Sequence, residues 1–89
     1  MATLFVRHQV SDYATWRAVY DNFAVTQKQL GVTAEAVYQA DGAPNDVTVT
    51  HEFGSVAAAK AFTESAEMRE AMGNAGVVGA PTIWITNKA

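Results

Sequence analysis

The hydrophobic period of the sequence changes within the segment Leu4-Phe5-Val6-Arg7-His8-Gln9-Val10-Ser11-Asp12-Tyr13. Up to Val10 the side chains alternate in character, and successive residues of a strand point to opposite faces of a sheet. Ser11 or Asp12 then offers a side-chain oxygen to the free amides that begin a helix. The stretch therefore predicts a strand that passes directly into a helix.

The rest of the first half continues this pattern. Apolar residues recur at steps of three and four from Tyr13 to Gly31, which predicts one amphipathic helix of roughly five turns. Its buried stripe would consist of Tyr13, Trp16, Tyr20, Phe23, Gln27 and Leu30. The alternating segments 32–40 and 47–53 follow, and the turn-forming residues 41–46 between them predict a hairpin with a rather long loop.

The second half begins with an alanine-rich helical region after Gly54-Ser55, which we expect to break at residues 63–65. Three glycines then open a loop, and residues 82–86 after Pro81 predict a last strand. The order of elements is strand, helix, strand, strand, helix, strand. This order predicts an α+β, ferredoxin-like βαββαβ fold, with a four-stranded antiparallel sheet and the helices on one face.

We expect residues 1–89 to form a single domain, because the chain has no material for a second core. A domain this small buries only about 60–65% of the surface that its unfolded chain exposes. The sheet face away from the helices has no cover in its own chain, so we predict a back-to-back homodimer. That face would carry Phe5, Arg7, Gln9, Val37, Thr48, Thr50 and Glu52. Arg7 and Glu52 could pair across it.

The composition excludes several classes of partner. The net charge is −3 and the six basic residues form no patch, whereas nucleic-acid affinity depends on Lys and Arg. The sequence has no cysteine, and it has no apolar run of the ~18 residues that span a bilayer. We therefore expect a cytoplasmic protein with no nucleic-acid and no membrane partner.

The residues best suited to chemistry are the two histidines, which fall among apolar residues on the predicted buried face. The strands that carry His8 and His51 are neighbours in this topology, so we expect the two imidazoles to lie about one diagonal pair apart. They would be the catalytic residues of an aromatic pocket for a small aromatic or apolar ligand. The expected substrate-binding residues are Trp16, Tyr20, Phe23 and Tyr38. Buried histidines and helical aromatics are, however, more often packing residues.

The sequence lacks the residues that a metal site, a nucleophilic enzyme or a phosphate-binding loop would need. A metal site needs three or more ligands, and two histidines with Glu52 on the opposite strand face do not supply them. There is no cysteine nucleophile and no Gly-x-Ser-x-Gly turn, and the glycines lack the Lys-Ser/Thr of a phosphate loop. We therefore expect no metal and no cofactor.

Several segments carry a resemblance to a known group of proteins. They are Val10–Trp16 at the first helix, His51-Glu52-Phe53 at the end of a strand, Ala61-Phe62 with Ser65, and Ala75–Pro81 before the last strand. In these segments and in its order of elements, the chain resembles small bacterial proteins of the dimeric α+β barrel superfamily. Among these are antibiotic biosynthesis monooxygenase-like proteins and proteins labelled cyclases.

The resemblance implies two ferredoxin-like protomers packed sheet to sheet, each with a ligand cavity between its helices and its sheet. Enzymes of this superfamily oxidise aromatic polyketide-type anthrones or quinols with molecular oxygen, without metal or flavin. They use Asn, Trp, Tyr and His side chains. Trp16 stands where an aromatic cavity residue is expected and His51 could be the base, but no Asn of this chain is predicted on a strand, where the polar partner would stand.

Two kinds of function remain open. The first is a cofactor-independent monooxygenase, or a cyclase or isomerase, acting on a small aromatic or polyketide-like substrate. In that case His51 would be the base and His8 an anion stabiliser or second acid. The second is a non-catalytic apolar-ligand-binding or stress-response module, whose affinity for its ligand would depend little on pH or on either histidine.

Overall fold

The computed structural model describes residues 1–89 and contains four strands and four helices. They are β1 (Ala2–Val10), α1 (Tyr13–Asn22), α2 (Ala24–Gln29), β2 (Ala34–Ala40), β3 (Ala43–Phe53), α3 (Val56–Glu64), α4 (Ala66–Asn74) and β4 (Val77–Asn87). The strands form one antiparallel sheet in the order β2-β3-β1-β4. The predicted α+β, ferredoxin-like architecture is therefore confirmed.

Both helical regions are broken in two. The predicted break near residues 63–65 is confirmed, because Ser65 ends α3 and its hydroxyl accepts the Met68 amide at the start of α4. The prediction of one continuous first helix is wrong. The helix is interrupted at Phe23, whose amide donates hydrogen bonds to the carbonyl oxygens of both Val19 and Tyr20, each at an N–O distance of 3.1 Å. No helix of the structure is long and apolar enough to cross a bilayer.

The β2–β3 hairpin is tighter than the sequence predicted. Only Asp41 and Gly42 connect the strands, and Gly42 supplies the positive φ of +75° that such short turns demand. Residues 43–46, which were expected in a loop, belong to β3. Asn45 therefore lies on a strand, contrary to prediction, and its Oδ1 accepts the Tyr13 amide at the start of α1.

The last strand is longer than expected. It begins at Val77, and its pairing with β1 shifts register between Arg7 and Gln9. Between the pairs that these two residues form, β4 has three residues, 79–81, where β1 has only His8, and this irregularity accommodates Pro81, which has no amide to donate to a sheet.

The sheet has one face packed under the helices and one open face. Residues of even number on β1 face the helices, and the core clusters around Leu4, Val6 and Phe53. On the open face the rings of Phe5 and Trp84 stack, with centroids 5.1 Å apart. Trp84 is 42% exposed.

Two details of the open face differ from the prediction. Val37 pairs with the buried Val49 and so lies on the helix face, which places its neighbour Tyr38 on the open face. Arg7 binds Asp46 and not Glu52, with Nη2 and Oδ2 2.6 Å apart. The register explains this, because Arg7 lies opposite Thr48, one diagonal step from Asp46.

A test of the α4–β4 connection compares two glycines with the same left-handed backbone, Gly76 (φ +76°) and Gly42 (φ +75°). A Cβ on Gly76 would lie 2.6 Å from Ser11 Oγ, whereas a Cβ on Gly42 would meet nothing within 4 Å. We expect Gly42→Ala to lower the free energy of unfolding by about 1–2 kcal/mol through backbone strain. Gly76→Ala should lower it by roughly 1 kcal/mol more through overpacking, as measured by urea denaturation.

Ser11→Ala provides the control, because it removes the atom that the new methyl group would meet. In that background the excess cost of Gly76→Ala over Gly42→Ala should largely disappear. Equal losses of stability in the two glycine variants would contradict the steric explanation.

Candidate functional site

A cavity lies between the helices and the sheet, and its lining is mostly apolar. The aromatic residues of the lining are Trp16, Tyr20, Phe23 and Phe62, and its polar ones are His8, His51 and Gln27. The other lining residues are Val6, Val19, Val49, Met68, Ala71, Met72 and Ala75. The cavity volume is about 50 Å³. One water needs roughly 10–15 Å³, so the cavity has room for a small ligand or a few waters.

Both histidines of the cavity are buried, and neither imidazole has a hydrogen-bond partner. His8 is 7% exposed and His51 is 4% exposed. All four of their ring nitrogens lack a partner within the protein. A buried polar group without a partner costs roughly 1–3 kcal/mol, and such a group usually meets a ligand, a water or a catalytic role.

The two histidines share a face but do not touch. His51 lies opposite Leu4 on β1, so it is offset by four positions from His8, about 13 Å along the strands at ~3.3 Å per residue. The expected separation of one diagonal pair is therefore wrong. The β1–β3 register sets the larger offset, and the register could not be read from the alternation of either strand alone.

Two aromatic rings of α1 connect the histidines. The centroids of the His8 and Trp16 rings are 5.7 Å apart, those of Trp16 and Tyr20 are 4.9 Å apart, and those of Tyr20 and His51 are 6.2 Å apart. Phe62 closes the other side of His51, with a centroid distance of 5.1 Å. The structure thus brings His8, His51, Trp16, Tyr20 and Phe23 together around one cavity.

Burial keeps both imidazoles neutral at pH 7. It lowers the pKa of His51 to about 4, against the opposing attraction of Glu35. It also lowers the pKa of His8, against the opposing attraction of Asp46. A neutral imidazole has one nitrogen that accepts a proton and one that donates a hydrogen bond. Each histidine can therefore act as a base or as a hydrogen-bonding group.

Tyr20 has a partner that the sequence analysis missed. Its hydroxyl donates a hydrogen bond to Glu35 Oε2. Burial raises the pKa of Tyr20 above its usual range, and the hydrogen bond to Glu35 raises it further, so the phenol stays protonated at neutral pH. Glu35 could have been found only with the strand parity, which places it beside Val37 on the helix face.

Gln27 is a second residue that the sequence analysis did not assign to the site. It is 3% exposed, lines the cavity and lies near the Tyr20 hydroxyl. A signal was present in the sequence, since Gln27 is the only polar residue in the apolar stripe of the first helix. A polar group at such a position indicates either a hydrogen-bonded core residue or a ligand contact.

Tyr38 does not belong to the cavity. Its side chain lies on the open face of the sheet, where the residue is 58% exposed, because its strand pairs Val37 with Val49. The prediction that Tyr38 walls the pocket is therefore wrong. No three His, Cys, Asp or Glu side chains are grouped so that they could hold a metal ion.

A second, more open cleft adjoins the cavity. It shares Val19, Phe23 and Ala71 with the cavity lining, and so it lies between the break of the first helix and α4. The rest of its lining is polar and consists of Asn22, Thr26, Glu67, Glu70 and Asn74. This cleft gives the cavity a polar neighbour on the solvent side.

By sequence, no family model and no curated protein matches the chain. By structure, it is similar to a Bordetella bronchiseptica protein provisionally assigned as an antibiotic biosynthesis monooxygenase. The sequences are 16% identical and the TM-score is 0.85, over 99% of this chain and 96% of that one. A Deinococcus radiodurans protein with the same provisional assignment is 15% identical, with a TM-score of 0.78 over 100% of this chain and 93% of that one.

The chain is also similar to SnoaB, a cofactor-independent oxygenase from Streptomyces nogalater. This pair is 10% identical and has a TM-score of 0.82, over 99% of this chain and 92% of SnoaB. At such low identities the likeness establishes the fold. The chain therefore has the ferredoxin-like α+β fold of the antibiotic biosynthesis monooxygenase-like structures, as the resemblance of its sequence implied.

Proposed function

We propose that the protein is a cofactor-independent enzyme, of the monooxygenase or cyclase type, that acts on a small aromatic substrate in the cavity between the helices and the sheet. The observation that carries this proposal is the pair of buried, neutral imidazoles without partners in an otherwise apolar, aromatic pocket. The shared fold with a cofactor-independent oxygenase supports the oxidative form of the reaction.

In this mechanism His51 removes a proton from a phenol or from an activated C–H group of the substrate. The resulting carbanion or phenolate gives electrons to molecular oxygen. When a CH₂ group becomes a carbonyl, one oxygen atom enters the substrate and the other leaves as water with the two hydrogens. When a hydroquinone becomes a quinone, it loses two protons and two electrons, and these convert O₂ to hydrogen peroxide. Burial lowers the pKa of His51 to about 4, and a substrate anion beside the imidazole would raise that pKa by ion pairing.

His8 and the aromatic rings have supporting roles in this mechanism. His8 lies at the other end of the Trp16–Tyr20 pair, so it would hydrogen-bond a polar group at the far end of the substrate. Trp16, Tyr20 and Phe23 would hold the ring of the substrate between them. The small volume favours a compact substrate, and Met68 and Met72 give the wall some adaptability.

A non-catalytic ligand-binding module is the second candidate function. The mostly apolar lining of the cavity favours it, because such a lining binds an apolar molecule without any chemistry. In that case removal of either imidazole would change ligand affinity little.

We further propose that two copies of the chain pack through their open sheet faces. The Phe5–Trp84 stack leaves apolar surface on this face, and Tyr38 and Val78 on the same face are 58% and 56% exposed. A second copy would cover all four side chains.

Oxygen uptake tests the oxidative reaction. With an anthrone or a hydroquinone and metal-stripped protein, His51→Ala should lower kcat by about a hundredfold or more, because a general base contributes roughly 10²–10⁴-fold. His8→Ala should act mainly on KM. Tyr38→Phe, on the other face of the sheet, is the matched aromatic control and should leave turnover unchanged. Uptake that survives in His51→Ala would contradict the role of His51.

The pH dependence of stability tests the burial of a neutral imidazole. The pKa of His51 is 6.5 when it is unfolded and about 4 when folded. As the pH falls from 6.5 to 4, His51 becomes protonated in the unfolded chain but stays neutral in the folded chain. Full stability is present above this window, and about 3 kcal/mol is lost across it.

His51→Leu removes the group responsible, so its free energy of unfolding should fall less steeply than that of the wild type between pH 6.5 and pH 4. Urea denaturation at several pH values measures both slopes. The carboxylates other than Glu35, which lies opposite His51, contribute equally to the two proteins, so the difference between the slopes reports His51 together with its attraction to Glu35. Identical slopes would show that His51 does not titrate as a buried base.

The dimer proposal predicts that Trp84→Asp gives monomers at concentrations where the wild type is a dimer, because the charge would be buried at the interface. Val25→Asp is the control, since Val25 on α2 is 68% exposed but lies away from the sheet. Sedimentation velocity distinguishes the two species. Dimers of Trp84→Asp that persist at low concentration would contradict this interface.

A further inference from the structure

Each histidine of the cavity has one carboxylate close to it, but only one of these carboxylates shares its face of the sheet. Glu35 on β2 is directly opposite His51 on β3, and directly opposite residues point to the same face. Asp46 precedes Val47, the residue opposite His8, so Asp46 points to the other face. The charge near His51 is therefore on its own side of the sheet, and the charge near His8 is not.

The two carboxylates also differ in what they bind. Arg7 holds Asp46 with two bonds, from Nε to Oδ1 at 3.0 Å and from Nη2 to Oδ2 at 2.6 Å, so the negative charge of Asp46 is neutralised. Glu35 accepts only the neutral hydroxyl of Tyr20 and has no salt bridge. Its charge remains available to a cation nearby.

No other charged group competes for His51. The side chains that face it are Leu4 from β1, Tyr20 from α1, Glu35 from β2 and Phe62 from α3. Arg17 on α1 lies over the Tyr20 ring, with its Cζ 5.5 Å from the ring centroid, and its Nε is 3.0 Å from Asp21 Oδ1. Glu35 is therefore the counter-charge that a protonated His51 would meet.

We propose that Glu35 is a positioning residue of the site: its carboxylate, held opposite His51 by the Tyr20 hydroxyl, stabilises the imidazolium that forms when His51 accepts a proton. The mechanistic use of this pair rests on the proposed function, in which that proton comes from the substrate. The attraction of Glu35 already opposes the effect of burial on His51. His8 has no comparable partner, so it stays neutral and serves as a hydrogen-bonding group.

The direct test is the titration of the His51 imidazole by NMR. The chain has only two histidines, so a His8→Phe background leaves a single imidazole signal. Glu35→Gln keeps an acceptor for Tyr20 and removes the charge, and we expect it to lower the pKa of His51. Glu52→Gln is the matched control, because Glu52 adjoins His51 in sequence but lies on the opposite face of the sheet. Its His51 signal should titrate like that of the parent.

Kinetics separate a positioning role from a purely structural one. In oxygen uptake with a hydroquinone, Glu35→Gln should lower kcat roughly three- to tenfold, because the imidazolium loses a partly screened counter-charge. The acid limb of kcat/KM should move to lower pH at the same time, which loss of structure alone would not cause. Glu35→Asp should restore part of both.

An unchanged pKa of His51 in Glu35→Gln, or an equal decrease in Glu52→Gln, would overturn the proposal. The two proposals can fail separately. If the wild type consumes no oxygen with any substrate, the oxygenase function fails, and the imidazole titration by itself decides the role of Glu35.

Discussion

β1 lies inside the sheet, and the pairing of its two edges sets which face each neighbouring strand presents to the helices. β1 pairs with β3 on one side and with β4 on the other. Because paired residues point to the same face, the alternation of side chains along β1 decides which residues of β3 and β4 face the helices. Leu4 and Val6 thereby enter the core, His8 enters the cavity, and Phe5 and Arg7 reach the open face. A register slip of one residue on this strand would exchange the two sets.

The cavity lies where the buried face of the sheet combines apolar packing with polar imidazole groups. The core around it requires apolar packing, and the aromatic rings of Trp16, Tyr20 and Phe62 supply it. His8 and His51 interrupt that packing with four nitrogens that find no partner in the protein. Leucines of similar size would stabilise a small domain better, so imidazoles at these positions are better explained by a ligand than by stability.

Much of this arrangement could be predicted from the sequence, because period-two alternation is unambiguous in β1 and β3. It placed His8 and His51 on the helix face, and the helical spacing brought Trp16 and Tyr20 above them. The buried face of β2 was harder to predict, because Val37 and Tyr38 are adjacent and either could face the core. Only the pairing of β2 with β3 decides between them. Glu35 was missed for the same reason. The offset between the histidines and the break at Phe23 arise from tertiary pairing and packing, which leave no local signal.

The same pairing that hides Glu35 from sequence reasoning gives the two histidines different surroundings. On the open face, Arg7 binds Asp46 and neutralises its charge. The only carboxylate near His8 is therefore not free to stabilise a protonated imidazole. On the helix face, Glu35 lies at the edge of the sheet, where water can solvate it while its hydrogen bond to Tyr20 keeps it beside His51. A solvated edge lets a carboxylate stay charged without the full cost of burial. The sheet edge is thus where this fold can supply a counter-charge to a cavity that is otherwise too apolar to hold one.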